Sequence, residues 1–239
     1  MATDKAQTWV YSEEYASERE PVLAAREVAV ELGAEPVTTG VGATLRMLAA
    51  VANARAVLEI GTGAGVSGLW LLEGMSPEGV LTTIDSESEF QKHARSAFHA
   101  AGVPGHRTRL IAGRALDVLP RMAAGGYDMV VIDADVSETP EYLDHALRVL
   151  RPGGVAVVVH ALWHDKVADP AQRDADTVVM REVTRVLGET EEFIAALLPV
   201  GDGVAVAVRR GLRVPLGSPG APAPPAVRAG AVGRTPGMP

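Results

Sequence analysis

Residues 56–68, AVLEIGTGAGVSG, constrain this chain more than any other stretch. A short apolar run that halts at glycines reads as a strand buried on both faces, and such strands belong to parallel sheets covered by helices. Glycines at 61, 63 and 65 let the backbone turn sharply and let a ligand come close. The helix expected to follow points its free N–H groups at that ligand. The rest of the chain supplies matching partners. Strand-like segments recur at 80–85, 108–113, 127–135 and 155–160, separated by helical stretches at 66–75, 87–102, 115–124 and 139–150, the last of them stopped by Pro-Gly-Gly at 152–154. Helices are also expected at about 10–33, 40–53 and 171–188. Segments 193–199 and 204–210 read as strands joined by a tight turn at Gly201, Asp202 and Gly203. The pattern predicts an α/β fold: a doubly wound, Rossmann-like, seven-stranded, mostly parallel sheet with a C-terminal antiparallel hairpin strand and extra N-terminal helices. Ligands of such sheets bind outside the carboxyl ends of the strands.

Composition narrows the function. The chain has no cysteine, which removes disulfides, Cys-ligated zinc, iron–sulfur clusters and a thiol nucleophile. Residues 211–239 carry Arg213, Arg228 and Arg234 and no acid, so the remaining 210 residues hold 19 basic against 30 acidic side chains, a charge of -11. A body of that sign repels phosphate backbones, and a small molecule is the expected partner rather than nucleic acid. The polar N-terminus and the shortness of the apolar run 153–163 point away from a secretory signal and a membrane span, toward a cytoplasmic protein. Residues 211–239 also contain 7 of the 16 prolines and 6 of the 25 glycines and no aromatic residue, and read as a disordered tail after a single domain over 1–210, whose first 54 residues form a helical cap.

Two nucleotide-type ligands compete for the strand ends. Residues 63–68, GAGVSG, satisfy the dinucleotide pattern G-x-G-x-x-G, although two residues late relative to the strand. Asp85, 24 residues beyond Gly61, ends the second strand. It suits the ribose hydroxyls of either ligand, or the N-cap of helix 87–102. Glu59 separates the two. A carboxylate at the end of a buried strand is costly to leave unpaired. The anionic pyrophosphate of NAD would be repelled by it, whereas the ammonium and sulfonium of S-adenosylmethionine would be attracted.

At these residues the chain resembles a family. E-I-G-T-G-x-G-x-S at 59–67, the acid at 85, G-x-A at 113–115, I-D-A-D at 132–135 and LLPVGDGVAVAV at 197–208 are similar to the class I S-adenosylmethionine-dependent O-methyltransferases, in the group of catechol and caffeoyl-CoA O-methyltransferases and their bacterial relatives. The resemblance covers roughly residues 20–210. It implies that Val37 lines the methionine end of the cofactor, and that Glu59, Gly61, Thr62, Gly63 and Ser67 hold its amino-acid part. Asp85 would take the ribose, Gly113, Arg114 and Ala115 would border the adenine, and Asp133 and Asp135 would lie near the sulfonium, with Tyr142 on the next helix. It also implies a small hydroxyl acceptor and, in many relatives, a homodimer.

One constellation departs from the family. Its usual divalent metal, commonly magnesium, is held by the first Asp of D-A-D and by an Asp-Asn pair ending the fifth strand. Here Asp133 matches, but the pair is His160-Ala161, and the lysine that often follows D-A-D is Val136. Alanine ligates nothing, and imidazole suits softer metals than magnesium. Asp133 and His160 are therefore the catalytic candidates, with Asp133 as the one matching metal ligand and the metal requirement open. His160 could be the base, since an ordinary imidazole titrates near neutrality. It could instead join Asp133 and His164 or Asp165 around a softer metal, or the task could have moved to His164, Asp165 or Lys166. A protein that holds the cofactor without catalysis and an NAD-dependent oxidoreductase are the alternatives.

Overall fold

A computed structural model describes residues 5–211. Three helices, α1 (Lys5–Glu13), α2 (Glu20–Glu31) and α3 (Thr39–Val51), precede an alternating series. It runs β1 (Ala56–Ile60), α4 (Val66–Gly74), β2 (Val80–Asp85), α5 (Ser88–Ala100), β3 (Thr108–Ala112), α6 (Ala115–Val118), β4 (Tyr127–Ile132), α7 (Thr139–Val149), β5 (Leu150–Val159) and α8 (Ala175–Glu189). The hairpin β6 (Phe193–Leu198) and β7 (Val204–Arg209) closes it. The seven strands lie in the order β3-β2-β1-β4-β5-β7-β6, with β7 antiparallel to both β5 and β6 and every other pair parallel. The chain winds outward from β1 to β3 and then restarts beside β1 with β4, so a crevice opens between the ends of β1 and β4.

Strand alternation divides the core into two layers. Val57, Met129, Val131, Val155 and Val157 face α2, α3, α4 and α5, while Leu58, Ile60, Val130, Ile132 and Val158 face α7 and α8. By the same alternation Glu59 shares the face of Val57. Trp70 is a core residue, 2% exposed in the first layer, with the Arg46 guanidinium 4.8 Å from its ring centre. Gly68 has a packing role: a Cβ there would lie 2.7 Å from the Phe98 ring, so the glycine lets α4 close on α5. The last glycine of the G-x-G-x-x-G pattern therefore serves helix packing here.

Several element boundaries differ from the sequence reading. The single helix expected at 10–33 is two, because residues 14–19 break it and Pro21 starts α2 in the first-turn position that proline favours. The helix expected at 115–124 is one turn, α6, followed by a 3-10 turn at Leu119–Arg121 containing Pro120. Pro152, Gly153 and Gly154 do not end α7, which stops at Val149. They form an irregular stretch inside β5, where Tyr127 pairs with Leu150 and Met129 already pairs with Val155. Helix α8 starts at Ala175 rather than 171, and β4 ends at Ile132, before Asp133. The tail expected at 211–239 lies, but for Gly211, outside the described residues. Among the described residues no helix is long and apolar enough to cross a membrane.

Candidate active site

A cleft of about 520 Å³ opens at the carboxyl ends of β1, β2 and β4, roofed by residues 34–37 and bordered by the start of α7. Twelve of the thirteen residues singled out for cofactor contact line it: Val37, Gly61, Thr62, Gly63, Ser67, Asp85, Gly113, Arg114, Ala115, Asp133, Asp135 and Tyr142. The thirteenth, Glu59, lies buried and is not in the lining. Gly61 sits at φ +95°, and a Cβ on it would come within 1.7 Å of the Asp133 carbonyl oxygen. That contact exists because Asp133 N–H donates to Ile60 O at 2.8 Å, lacing the end of β4 to β1, while Gly61 N–H donates to Ile84 O at 2.9 Å on the β2 side. Only glycine meets both demands.

Asp85 is not the N-cap of α5, the role weighed for it from sequence; Glu87 takes that position without a side-chain cap bond. Instead the Asp85 carboxylate accepts from Thr62 N–H at 2.9 Å and Gly63 N–H at 3.0 Å through one oxygen, and from Glu87 N–H at 2.9 Å through the other. It braces the glycine loop while still facing the cleft.

Behind that loop runs a buried polar chain. Gln91 Nε2 donates to Thr62 Oγ1 at 2.8 Å, Thr62 and Thr83 hydroxyls meet at 2.7 Å, and Thr83 donates to Glu59 Oε2 at 2.6 Å. Glu59 and Thr83 are direct partners across β1 and β2. Glu59 Oε1 receives no hydrogen bond. Burial pushes the Glu59 carboxyl up to about 8, against the lowering by the Thr83 and Ser67 hydroxyls, and the nearby Asp133 and Asp85 push in the same direction as burial.

On the opposite wall, Glu138 receives the Arg114 guanidinium at 2.5 Å and the Tyr142 hydroxyl at 2.5 Å. The sequence reading missed Glu138, although it stands four residues before Tyr142, a spacing that brings two side chains together on one helical face. Phe90 and Glu35 also line the cleft and were not singled out. Asp135 spends its carboxylate locally, accepting from Ser137 N–H at 2.8 Å and Ser137 Oγ at 2.6 Å.

Beyond the Asp133 wall, His160 follows β5 at φ +53°. Its Nε2 is 3.7 Å from Asp133 Oδ1 and its Nδ1 is 3.3 Å from Asp202 Oδ2. Burial pushes the Asp133 carboxyl up, with His160 opposing. Asp202 was read only as a turn residue, since nothing local in Gly201-Asp202-Gly203 shows that the turn folds back onto the end of β5. Ala161 is fully buried, and among the described residues no three His, Asp or Glu side chains converge as metal ligands require. Asp133 and His160 do meet; His164 and Asp165 do not complete a metal site with them. Trp163 does not line the cleft; it packs against the α7 and α8 layer, its ring 5.0 Å from that of His164. Tyr11 and Tyr15 are exposed, as is Trp9.

The sequence model of the O-methyltransferase family matches residues 13–210. Curated relatives named O-methyltransferases, from Mycobacterium avium and Mycobacterium tuberculosis, are each 50% identical over 209 and 201 residues, covering 87% and 84% of this chain and 94% and 90% of the relatives. Among solved structures, a Corynebacterium glutamicum protein superposes with a TM-score of 0.81 at 30% identity, over 88% of this chain and all of that one. The O-methyltransferase TomG of Streptomyces achromogenes, involved in tomaymycin synthesis and solved in complex with S-adenosylmethionine, gives 0.77 at 31% identity, over 87% of this chain and all of that one.

Proposed function

The chain belongs to the O-methyltransferase family, and from that membership we propose that it moves a methyl group from S-adenosylmethionine to a hydroxyl of a small aromatic or secondary-metabolite acceptor, with His160 as the base and without magnesium. The observation that carries the cofactor assignment is the buried Glu59 with one oxygen unpaired. An ammonium group reaching the glycine loop would satisfy it. The cleft as a whole favours a cation: Glu35, Asp85, Glu87, Asp133, Asp135 and Glu138 line it against one Arg114, already paired with Glu138. A pyrophosphate would meet the wrong sign. Bound there, S-adenosylmethionine supplies a methyl group activated by its sulfonium.

The protein's own share is alignment and proton removal. Glu59, Thr62 and Ser67 would hold the amino-acid end, Asp85 the ribose, and Gly113 to Ala115 the adenine, with Tyr142 tied down by Glu138. Asp133 would stand at the reacting end. The acceptor hydroxyl would give its proton to His160 Nε2 as its oxygen takes the methyl. Magnesium does not fit the residues present: Ala161 offers no ligand where the family has Asn, and Asp133 and His160 are joined by no third donor among the described residues. The tomaymycin connection of the TomG relative supports an acceptor of the secondary-metabolite kind.

Calorimetric titration with S-adenosylmethionine, once in excess Mg²⁺ and once in EDTA, is expected to give the same affinity in both. No heat in either would remove the methyltransferase reading, and binding that needs the metal would restore a metal site. The variant His160→Gln is expected to lose about a hundredfold in turnover while keeping cofactor affinity, and unchanged turnover would exclude His160 as the base.

A further inference from the structure

We propose that Asp202, in the turn between β6 and β7, is a positioning residue for methyl transfer: its one carboxylate fixes the tautomer of His160 and holds the loop that carries it. The inference rests on the methyltransferase reading for its purpose, but its geometry stands independently. Residues 160–165 leave β5 in an unusual backbone path. His160, Trp163, His164 and Asp165 all have positive φ, at 53°, 47°, 54° and 61°. Residues with side chains adopt that conformation only where the surroundings over-determine it.

The surroundings do so from two sides. On one side the 202–203 turn receives Ala161 N–H at Gly203 O, 3.0 Å, and Leu162 N–H at Asp202 O, 2.9 Å. The Asp202 side chain adds a third bond, with Oδ1 accepting from His164 N–H at 2.6 Å. On the other side, the Arg181 guanidinium on α8 pins the chain that follows the strained residues, donating to the carbonyls of Lys166, Val167, Asp169 and Gln172. The turn is itself anchored, since Gly201 N–H donates to Glu13 Oε1 at 2.6 Å. Asp202 is thus held before it holds anything else.

Its second oxygen faces imidazole. Oδ2 is 3.3 Å from His160 Nδ1 and 3.8 Å from His164 Nδ1, while Asp133 Oδ1 is 3.7 Å from His160 Nε2. Only the first distance is within hydrogen-bonding range. An ionised carboxylate accepts and never donates, so the hydrogen of the neutral ring must sit on Nδ1. That leaves a lone pair on Nε2, the nitrogen 3.7 Å from Oδ1 of the cleft-lining Asp133. With a side-chain exposure of 17%, Asp202 is poorly placed to trade the ring for water. The arrangement is a base oriented from behind by an acid, the role a carboxylate plays wherever an imidazole must present one chosen nitrogen.

The test reads the ring directly, in the full chain labelled with ¹⁵N, by multiple-bond ¹H–¹⁵N spectra recorded where the imidazole is neutral. His160→Gln identifies the His160 signals by their loss. The expected result is a protonated Nδ1 and an unprotonated Nε2 in the unmodified chain. In Asp202→Asn, the amide can still accept from His164 N–H, and the His160 nitrogens should shift to the reverse tautomer or to an averaged position. A hydrogen on Nε2 in the unmodified chain would overturn the proposal, even if the variant failed to fold. An Asp202→Asn spectrum identical to the parent would overturn it too. Cofactor titration keeps the two readings apart: absence of S-adenosylmethionine binding removes the transferase, whatever the tautomer.

Discussion

Glu59 shows what one residue can report. Its carboxyl is held up to about 8, from an ordinary 4.5, chiefly by burial. A group whose folded value is raised contributes stability fully below the unfolded value and loses it as pH rises through the folded one. The unliganded protein is therefore expected to lose stability between about pH 4.5 and pH 8, by on the order of a few kcal/mol from this group. Glu59→Gln should reduce that slope, leaving the smaller share that Asp133 contributes in the same direction, and it should weaken S-adenosylmethionine binding at least about tenfold if one charge-assisted contact is lost. Thermal melts across pH check the first expectation, and an undiminished slope in the variant would refute it. Gly61→Ala should cost about 2 kcal/mol or more, from its φ of +95° and the carbonyl of Asp133 in the way, as read by denaturant midpoints. Glu59 and Gly61 were legible from sequence because charge and chain reversal are local properties. The polar chain behind Glu59 was not: Thr62 was legible in the glycine loop, but that it meets Thr83 and the Gln91 amide depends on the parallel register of β1 with β2 and the docking of α5.

At the scale of elements, α1 has no buried residue, yet its last residue ties it to two distant pieces of the fold. The Glu13 carboxylate accepts from Thr38 Oγ1 at 2.7 Å and Gly40 N–H at 3.1 Å, at the positive end of α3, and from Gly201 N–H in the β6–β7 turn. Glu13→Ala is expected to cost about 2–3 kcal/mol, with faster amide exchange in α1 and residues 199–203 and unchanged protection in β1 and β4. Faster exchange spread evenly over the sheet would contradict that local role. The sequence revealed the hairpin because its alternation and its two glycines are strong signals. It concealed the break after Glu13, since 14–19 contain no proline or glycine and the helical pattern continues on paper. The early start of β5 was hidden for the opposite reason, as Pro152, Gly153 and Gly154 read as an end when they are an irregularity within a strand.

For the whole molecule, the class of sheet followed from alternation, because a βα series with right-handed crossovers leaves few ways to wind, while the order of the strands came from the structure. The convergence of 34–37, 61–67 and 133–142 on the cleft, and of 160–164 with 201–203 beside Asp133, could not be read that way. It depends on which strand ends lie side by side, and it is the pairing of β7 with β5 that sets the hairpin turn against residues 160–164. The sheet is complete at Arg209, and Arg210 N–H closes on Glu192 O. We propose that the folded domain ends there, so a chain stopped after Gly211 should keep the circular dichroism spectrum and melting midpoint of the full chain. A lower midpoint would assign the remaining residues a part in the fold. The tilted contact of the Trp163 and His164 rings has an optical consequence. With only three indoles in the chain, one sealed in the core and one on α1, the emission of Trp163 can be dissected by single replacements, and the imidazole beside it is expected to quench that emission, which would make the loop behind Asp133 its own fluorescent gauge.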